Sequence, residues 1–134
     1  MMREIKFRGW WVYEDEGWVE GHYVFIAEDD FHTIYVNYKG SGYTSGRYVT
    51  ESYRVDPASV GQFTGLKDKN GREIYEGDVL ISIYDPQKVI VEFRGGAFYA
   101  HQVLLNSNHH STIEVIGNIY QNGDLLDEVK PDES

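Results

Sequence analysis

The residues able to do chemistry are few, and they do not converge. The five histidines are His22, His32, His101, His109 and His110, and only His109 and His110, in "NSNHHST", stand together. Neighbours on a strand point to opposite faces. In a loop the pair could share an ion with His101 as a third ligand. Carboxylates gather in "EIYEGD", which holds Glu73, Glu76 and Asp78. No His or further acid stands beside them at a ligating spacing. Asp78 reads instead as a turn cap, accepting backbone N–H groups where a strand begins. No Ser or Thr has a general base in sequence, and G-x-S-x-G is absent. The phosphate-cradling glycine patterns are absent too, and "GSGYTSG" lacks the strand–turn–helix context they need. Base, nucleophile and orienting group do not occur together. The chain is therefore expected not to be an enzyme, with no catalytic residue, no cofactor and no metal ligand.

The segment "TGLKDKNGREIYEGDVL" (64–80) carries a different chemistry. Three of the 12 basic residues, Lys67, Lys69 and Arg72, surround Asn70-Gly71. Asn-Gly is the strongest short hairpin signal, because a type I′ turn needs positive φ at both central residues. The flanking strands are polar. The hairpin is expected to project into solvent, packing only through Leu66, Ile74 and Tyr75, with Asp68 and Glu73 as alternating surface charges. On a solvated hairpin such pairs are worth a few tenths of a kcal/mol each. As a docking finger, the same basic tip would meet an acidic surface or a phosphate.

Trp10 and Trp11 are the second candidate. Adjacent on a strand, they face opposite ways, so one can enter the core and the other needs cover. That cover can be a neighbouring strand, a subunit interface or a ligand. With 11 Tyr and 6 Phe, and with aromatics enriched at interface cores, a homo-oligomer is expected. The candidate interaction surface is therefore Lys67, Lys69, Arg72, Trp10 and Trp11.

Composition narrows the partners. Of the 134 residues 22 are acidic, giving a formal net charge of −10, and there is no cysteine. Disulfides, thiolate metal sites and cysteine nucleophiles are excluded. Net negative charge repels phosphate backbones at long range, so nucleic acid is disfavoured as a partner. "KFRGWW" and "SYRV" still interleave cations with aromatic rings in the manner of single-strand binders. The N-terminus is charged where a signal peptide needs an apolar run, and no stretch could span a bilayer. A cytoplasmic protein with no membrane partner is expected.

The elements that would position these residues are strands. "EIKFRGWWVY" puts Ile5, Phe7, Trp11 and Tyr13 on one face and Lys6 and Arg8 on the other, and "WVEGHYVFI" returns after a turn at "EDEG" to form a hairpin. "TIYVNY" places Ile34, Val36 and Tyr38 together, "KGSGYTSG" is a loop, and "RYVTESYRV" is a strand that "DPAS" ends. "DVLISIY" and "KVIVEFR" alternate through Val79, Ile81, Ile83 and Val89, Val91, Phe93, with a turn at "DPQ" (85–87). "GG" (95–96) leads to "AFYA". "HQVLLNS" (101–107) holds the one plausible helical turn, and "TIEVIGNIYQ" alternates through Ile113 and Val115. Many short strands between turns mean a barrel or sandwich. The expected fold is mainly β: an N-terminal antiparallel hairpin and sheet (1–59) packed on a small SH3-like barrel (60–121). Together they form one domain over 1–126, with an acidic flexible tail at 127–134.

Three blocks, "MREIKFRGW", "GQFTGLKDKNGREIYEGDVL" and "IEVIGNIYQNGDLL", resemble in order the YopX protein family of bacteriophages and prophages. The resemblance implies a mainly β fold with an SH3-like barrel and a phage-derived origin. It implies no activity and no catalytic residues. The expected function is a non-enzymatic, homo-oligomeric module that binds an unidentified host or phage protein, with a nucleic-acid-binding small barrel as the alternative.

Overall fold

In the computed structural model, residues 4–13, 17–100, 103–105 and 111–124 are described. They form β1 (Phe7–Trp11), β2 (Trp18–Ile26), β3 (Phe31–Lys39), β4 (Tyr48–Lys67), β5 (Glu73–Tyr75), β6 (Asp78–Ser82), β7 (Asp85–Arg94), β8 (Ala97–Ala100), β9 (Val103–Leu104) and β10 (Ile113–Asn118). Short 3-10 turns occupy Ala27–Asp29 and Gly42–Thr44. The fold is mainly β, as the alternation predicts, and every strand pairing is antiparallel. Among the described residues no helix is long and apolar enough to cross a membrane. The chain forms two compact units, one of residues Glu4–Gln62 and one of Phe63–Ser134 with Met1–Arg3.

In the first unit β1 pairs with β2 (Trp10↔Trp18) and also with β4 (Trp11↔Val55), while β2 pairs with β3 and β3 with β4. The four strands thus close on themselves, which removes sheet edges where the circle is complete. Ile34 and Val55 are buried inside. A ring this small brings backbones close, and two glycines make room. A Cβ on Gly9 would lie 2.9 Å from Val55 Cβ, and one on Gly21 only 2.2 Å from the Tyr35 carbonyl oxygen.

The β1–β2 hairpin forms as expected, but its inward face differs from the alternation. Ile5 (56% exposed) and Tyr13 (73%) lie outside, whereas Arg8 is buried, its guanidinium 4.6 Å from the Trp18 ring centroid. Of β3's predicted inward residues, Tyr38 is exposed. The "EDE" of the predicted turn, residues 14–16, lies outside the described residues.

β4 is not ended by "DPAS". It runs on through Pro57, and its register with β1 slips between Arg8↔Gly61 and Trp10↔Asp56. The extra residues form a bulge, the position where a strand tolerates the missing N–H of proline. Asp56 Oδ1 accepts the Ala58 N–H (3.0 Å). The Ser59 hydroxyl donates to the Asp56 carbonyl (2.5 Å) and accepts the Trp10 N–H (2.7 Å).

In the second unit the strand order is β10-β6-β7-β8-β9, and the end of β4 pairs with β5 (Phe63↔Tyr75, Lys67↔Glu73). Ile74, Leu80, Val91, Leu105, Ile113 and Val115 form the core. Val79 and Leu80 are both buried while Ile83 and Phe93 are exposed, so β6 is covered on two faces and does not follow simple alternation. Its turn falls at Ile83-Tyr84, because Ser82 pairs with Asp85. "DPQ" instead begins β7, with Asp85 Oδ1 accepting the Gln87 N–H. Val103 and Leu104 pair with β8 as a strand rather than a helical turn. Leu105 follows with its N–H on the Phe98 carbonyl, while residues 101, 102, 106 and 107 of "HQVLLNS", His109, His110 and the tail 127–134 fall outside the described residues.

Gly21→Ala should lower stability by about 3 kcal/mol, because the methyl collides with rigid backbone. Gly123→Ala, with open space around it, should stay within about 0.5 kcal/mol. Urea unfolding of both variants checks this, and equal midpoints would show that the ring tolerates a Cβ at Gly21.

Candidate interaction surfaces

The basic hairpin is not free in solvent along its length. Asp68, predicted as a surface charge, is 0% exposed. Its Oδ1 accepts the Asn70 and Arg72 N–H groups (both 2.9 Å), and its Oδ2 accepts the Val115 N–H (2.9 Å). Lys69 N–H donates to the Ile113 carbonyl. One buried carboxylate therefore shapes the turn and fixes it along β10. Burial alone would raise the Asp68 pKa, but the three backbone N–H groups and the Arg72 charge outweigh it and hold the pKa below the usual carboxylate value.

The turn itself also differs from expectation. Gly71 N–H donates to the Asp68 carbonyl and Asp68 N–H to that of Arg72. Gly71 has φ 80°, and Asn70 is not in positive φ. This is a three-residue loop with glycine in the left-handed bulge position, not a type I′ turn. The type I′ signature is instead at Gly95-Gly96 (φ 59° and 84°), flanked by the pair Arg94↔Ala97.

The tip keeps its basic side chains outward: Lys67, Lys69 and Arg72 are exposed. Lys69 reaches Glu114 at 3.7 Å, and Asn70 Nδ2 donates to Glu114 at 3.2 Å. Behind it, Thr64 bridges a β4 bulge by donating to the Ile74 carbonyl and accepting the Leu66 N–H. Asp78 caps the next turn, its Oδ2 accepting the Tyr75 N–H at 2.8 Å, as its place before a strand predicts. Among the described residues no three His, Asp or Glu side chains could hold a metal ion.

Trp10 and Trp11 face opposite ways, and neither is fully buried. Trp10 meets Trp18 edge to face at 5.2 Å. Trp11 meets Tyr53 at 5.2 Å and 86°, and Tyr13 at 6.4 Å and 80°. Each thus finds cover on a neighbouring strand. The cations interleaved with rings in the sequence are engaged locally: Arg8 with Trp18, Arg54 over Phe31 at 5.0 Å, and Lys6 with Glu4 and Glu20. The basic hairpin and the tryptophans belong to different units.

Two side-chain groups escaped the sequence reading. Tyr38 and Tyr53 both donate their hydroxyls to Glu51, to Oε1 at 2.6 Å and to Oε2 respectively. Tyr38 first, then Tyr53, hold the Glu51 carboxyl below its usual range, and the bonds raise both phenols. Tyr23 OH also meets His32 Nδ1 (2.5 Å), while His32 Nε2 meets Asp30 Oδ1 (2.9 Å). The only signal for the first group was Glu51 two residues before Tyr53 on a strand. Nearby, Val24 (41% exposed), Phe25 (49%) and Ile26 (46%) are consecutive half-exposed residues at the end of β2, with Phe25 stacked on His32 at 4.3 Å.

A family model described as YopX protein matches residues 6–127. Among solved structures, the crystal structure of protein EF1440 from Enterococcus faecalis is 27% identical, with a TM-score of 0.57. That alignment covers 93% of this chain and 99% of the other. No curated protein matches the chain.

Asp68→Ala should cost about 2 kcal/mol, since it leaves the buried Val115 N–H and the part-buried Asn70 and Arg72 N–H groups without their acceptor. Because the folded pKa is depressed, the stabilisation is complete above the unfolded value of about 3.9 and is lost as pH falls through the folded one. Urea midpoints of wild type and Asp68→Asn between pH 6 and pH 2, spanning roughly that window, should converge toward the acid end. A constant gap would refute the carboxylate's role.

Proposed function

The chain belongs to the YopX protein family, and from that premise we propose that it is a phage-derived, cytoplasmic, non-enzymatic interaction module that works as a homo-oligomer. The observation that carries this reading is the run Val24-Phe25-Ile26, three consecutive exposed apolar side chains. Successive strand residues face opposite ways, so both faces of β2 end apolar. Such a run is a fault in a solvated sheet unless it contacts something. A second copy of the chain covers it in this reading.

The outward Lys67, Lys69 and Arg72, held on a hairpin that Asp68 fixes, support a contact with an acidic surface of a host or phage protein. Trp10 and Trp11, half in water, are further contact residues of the first unit. In the second unit β10 lies beside β6, placing the last strand next to the first of its sheet. That order supports reading residues 60–121 as an SH3-like barrel. Nucleic acid is disfavoured, because the charge is −10 and Arg8 and Arg54 lie over aromatic rings.

Light scattering on the purified chain should give a mass above that of one 15.5 kDa copy. Val24→Lys with Ile26→Lys should return it to one copy, with the circular dichroism of the sheet retained. A monomeric wild type across the concentration range would end the homo-oligomer reading.

A further inference from the structure

Glu51, Tyr38, Tyr53 and Trp11 lie on one side of the first unit's sheet. The register sets Glu51 opposite Val36, Tyr38 opposite Val49, Tyr53 opposite Ile34 and Trp11 opposite Val55. Residues paired directly share a face, and residues two apart on a strand do too. This is the face that carries buried Ile34 and Val55. Exposure rises along β3 from Ile34 (0%) to Tyr38 (42%), because β1 pairs with β4 no further toward its start than Val55, apart from Val12 N–H on the Arg54 carbonyl. The ring opens there, and the strip lies at its mouth.

We infer that this strip binds a cationic side chain, lysine or arginine, of a basic peptide. Three features argue for it. First, the Glu51 carboxylate joins two tyrosines, one of which meets Trp11, and a cation is stabilised both by a carboxylate and by ring faces within about 6 Å. Trp11 and Tyr53 meet at right angles, a contact that uses the face of only one of the two rings. Second, both phenol hydroxyls point at Glu51. They orient the carboxylate and leave roughly two of its four acceptor directions for another donor. The two bonds fall one on each oxygen, so each oxygen keeps a direction that an ammonium or a guanidinium fork can meet. Third, the net charge of −10 attracts a basic peptide at long range. The inference is independent of self-assembly through Val24 and Ile26.

The test is calorimetric titration at low salt with a short end-blocked lysine peptide, its arginine counterpart and its acetyl-lysine counterpart. The lysine and arginine peptides should both bind, and the acetylated one not at all. Glu51→Gln, which keeps a hydrogen-bonding side chain of the same size, should weaken binding about tenfold, or about 1.4 kcal/mol. Trp11→Leu should weaken it as well. Glu28→Gln removes the same charge from the 3-10 turn after β2 and should change it less than about twofold, as screening of a remote surface charge requires. Thermal melts verify that each variant is folded. No binding of the lysine peptide, equal loss in Glu51→Gln and Glu28→Gln, or undiminished binding of the acetylated peptide would overturn the inference.

Discussion

A carboxylate taken out of water must find donors, and Asp68 finds them in three backbone N–H groups. Two belong to its own turn and one to Val115, 47 residues later. The same side chain therefore shapes the hairpin and ties it to β10. β10 pairs on its other side with β6, whose Leu80 enters the core beside Val115 and Ile113. The basic residues of the hairpin inherit this rigidity. Lys67, Lys69 and Arg72 are presented by a turn held from beneath, and a fixed cation loses less entropy on meeting a partner than a mobile one.

The first unit answers a different constraint. A sheet of four strands has two edges unless it closes, and here β1 joins both neighbours at once. Closure brings Gly21 against the Tyr35 carbonyl and Gly9 against the Val55 and Ile34 side chains, and it forces the sequence to supply slack. That slack is the "DPAS" bulge, where Asp56 and Ser59 side chains take over hydrogen bonding that a regular ladder would provide. Proline there is tolerated because the bulged residue has no partner to donate to.

Strand character and most strand positions were legible in the sequence, because alternation and aromatic content report on a pleated, half-buried surface. The errors have physical causes. Asn70-Gly71 and Gly95-Gly96 both allow positive φ, but a buried Asp68 accepting from Asn70 and Arg72 selects the longer loop, and nothing local announces that its carboxylate is buried. "DPAS" carries the local signature of a break, and only pairing with β1, some 45 residues earlier, turns it into a bulge. Ile83 was expected inside, yet the turn between Ser82 and Asp85 begins with it. Of the candidate site residues, Lys67, Lys69 and Arg72 are exposed as read, and Trp10 and Trp11 do face opposite ways. The Tyr38–Glu51–Tyr53 group was invisible because its first member lies on another strand and joins the other two only through the β3–β4 register.

The two candidate surfaces have opposite electrostatic character, and this bears on how such a molecule selects contacts. Most of its charge is negative, so an approaching basic peptide is attracted before any contact forms, while an acidic partner is repelled until it reaches the hairpin tip. Long-range attraction sets encounter rates and depends on salt, whereas close complementarity sets lifetime. Glu51 differs from the other acidic residues on this second count. Two phenols orient it and Trp11 stands beside Tyr53, so a cation arriving there exchanges its water for a carboxylate and ring faces already in position. Carboxylates without such neighbours offer attraction alone. The distinction between a charged surface and a charged site lies in that preorganisation, and in this chain it is built from the pairing of two strands.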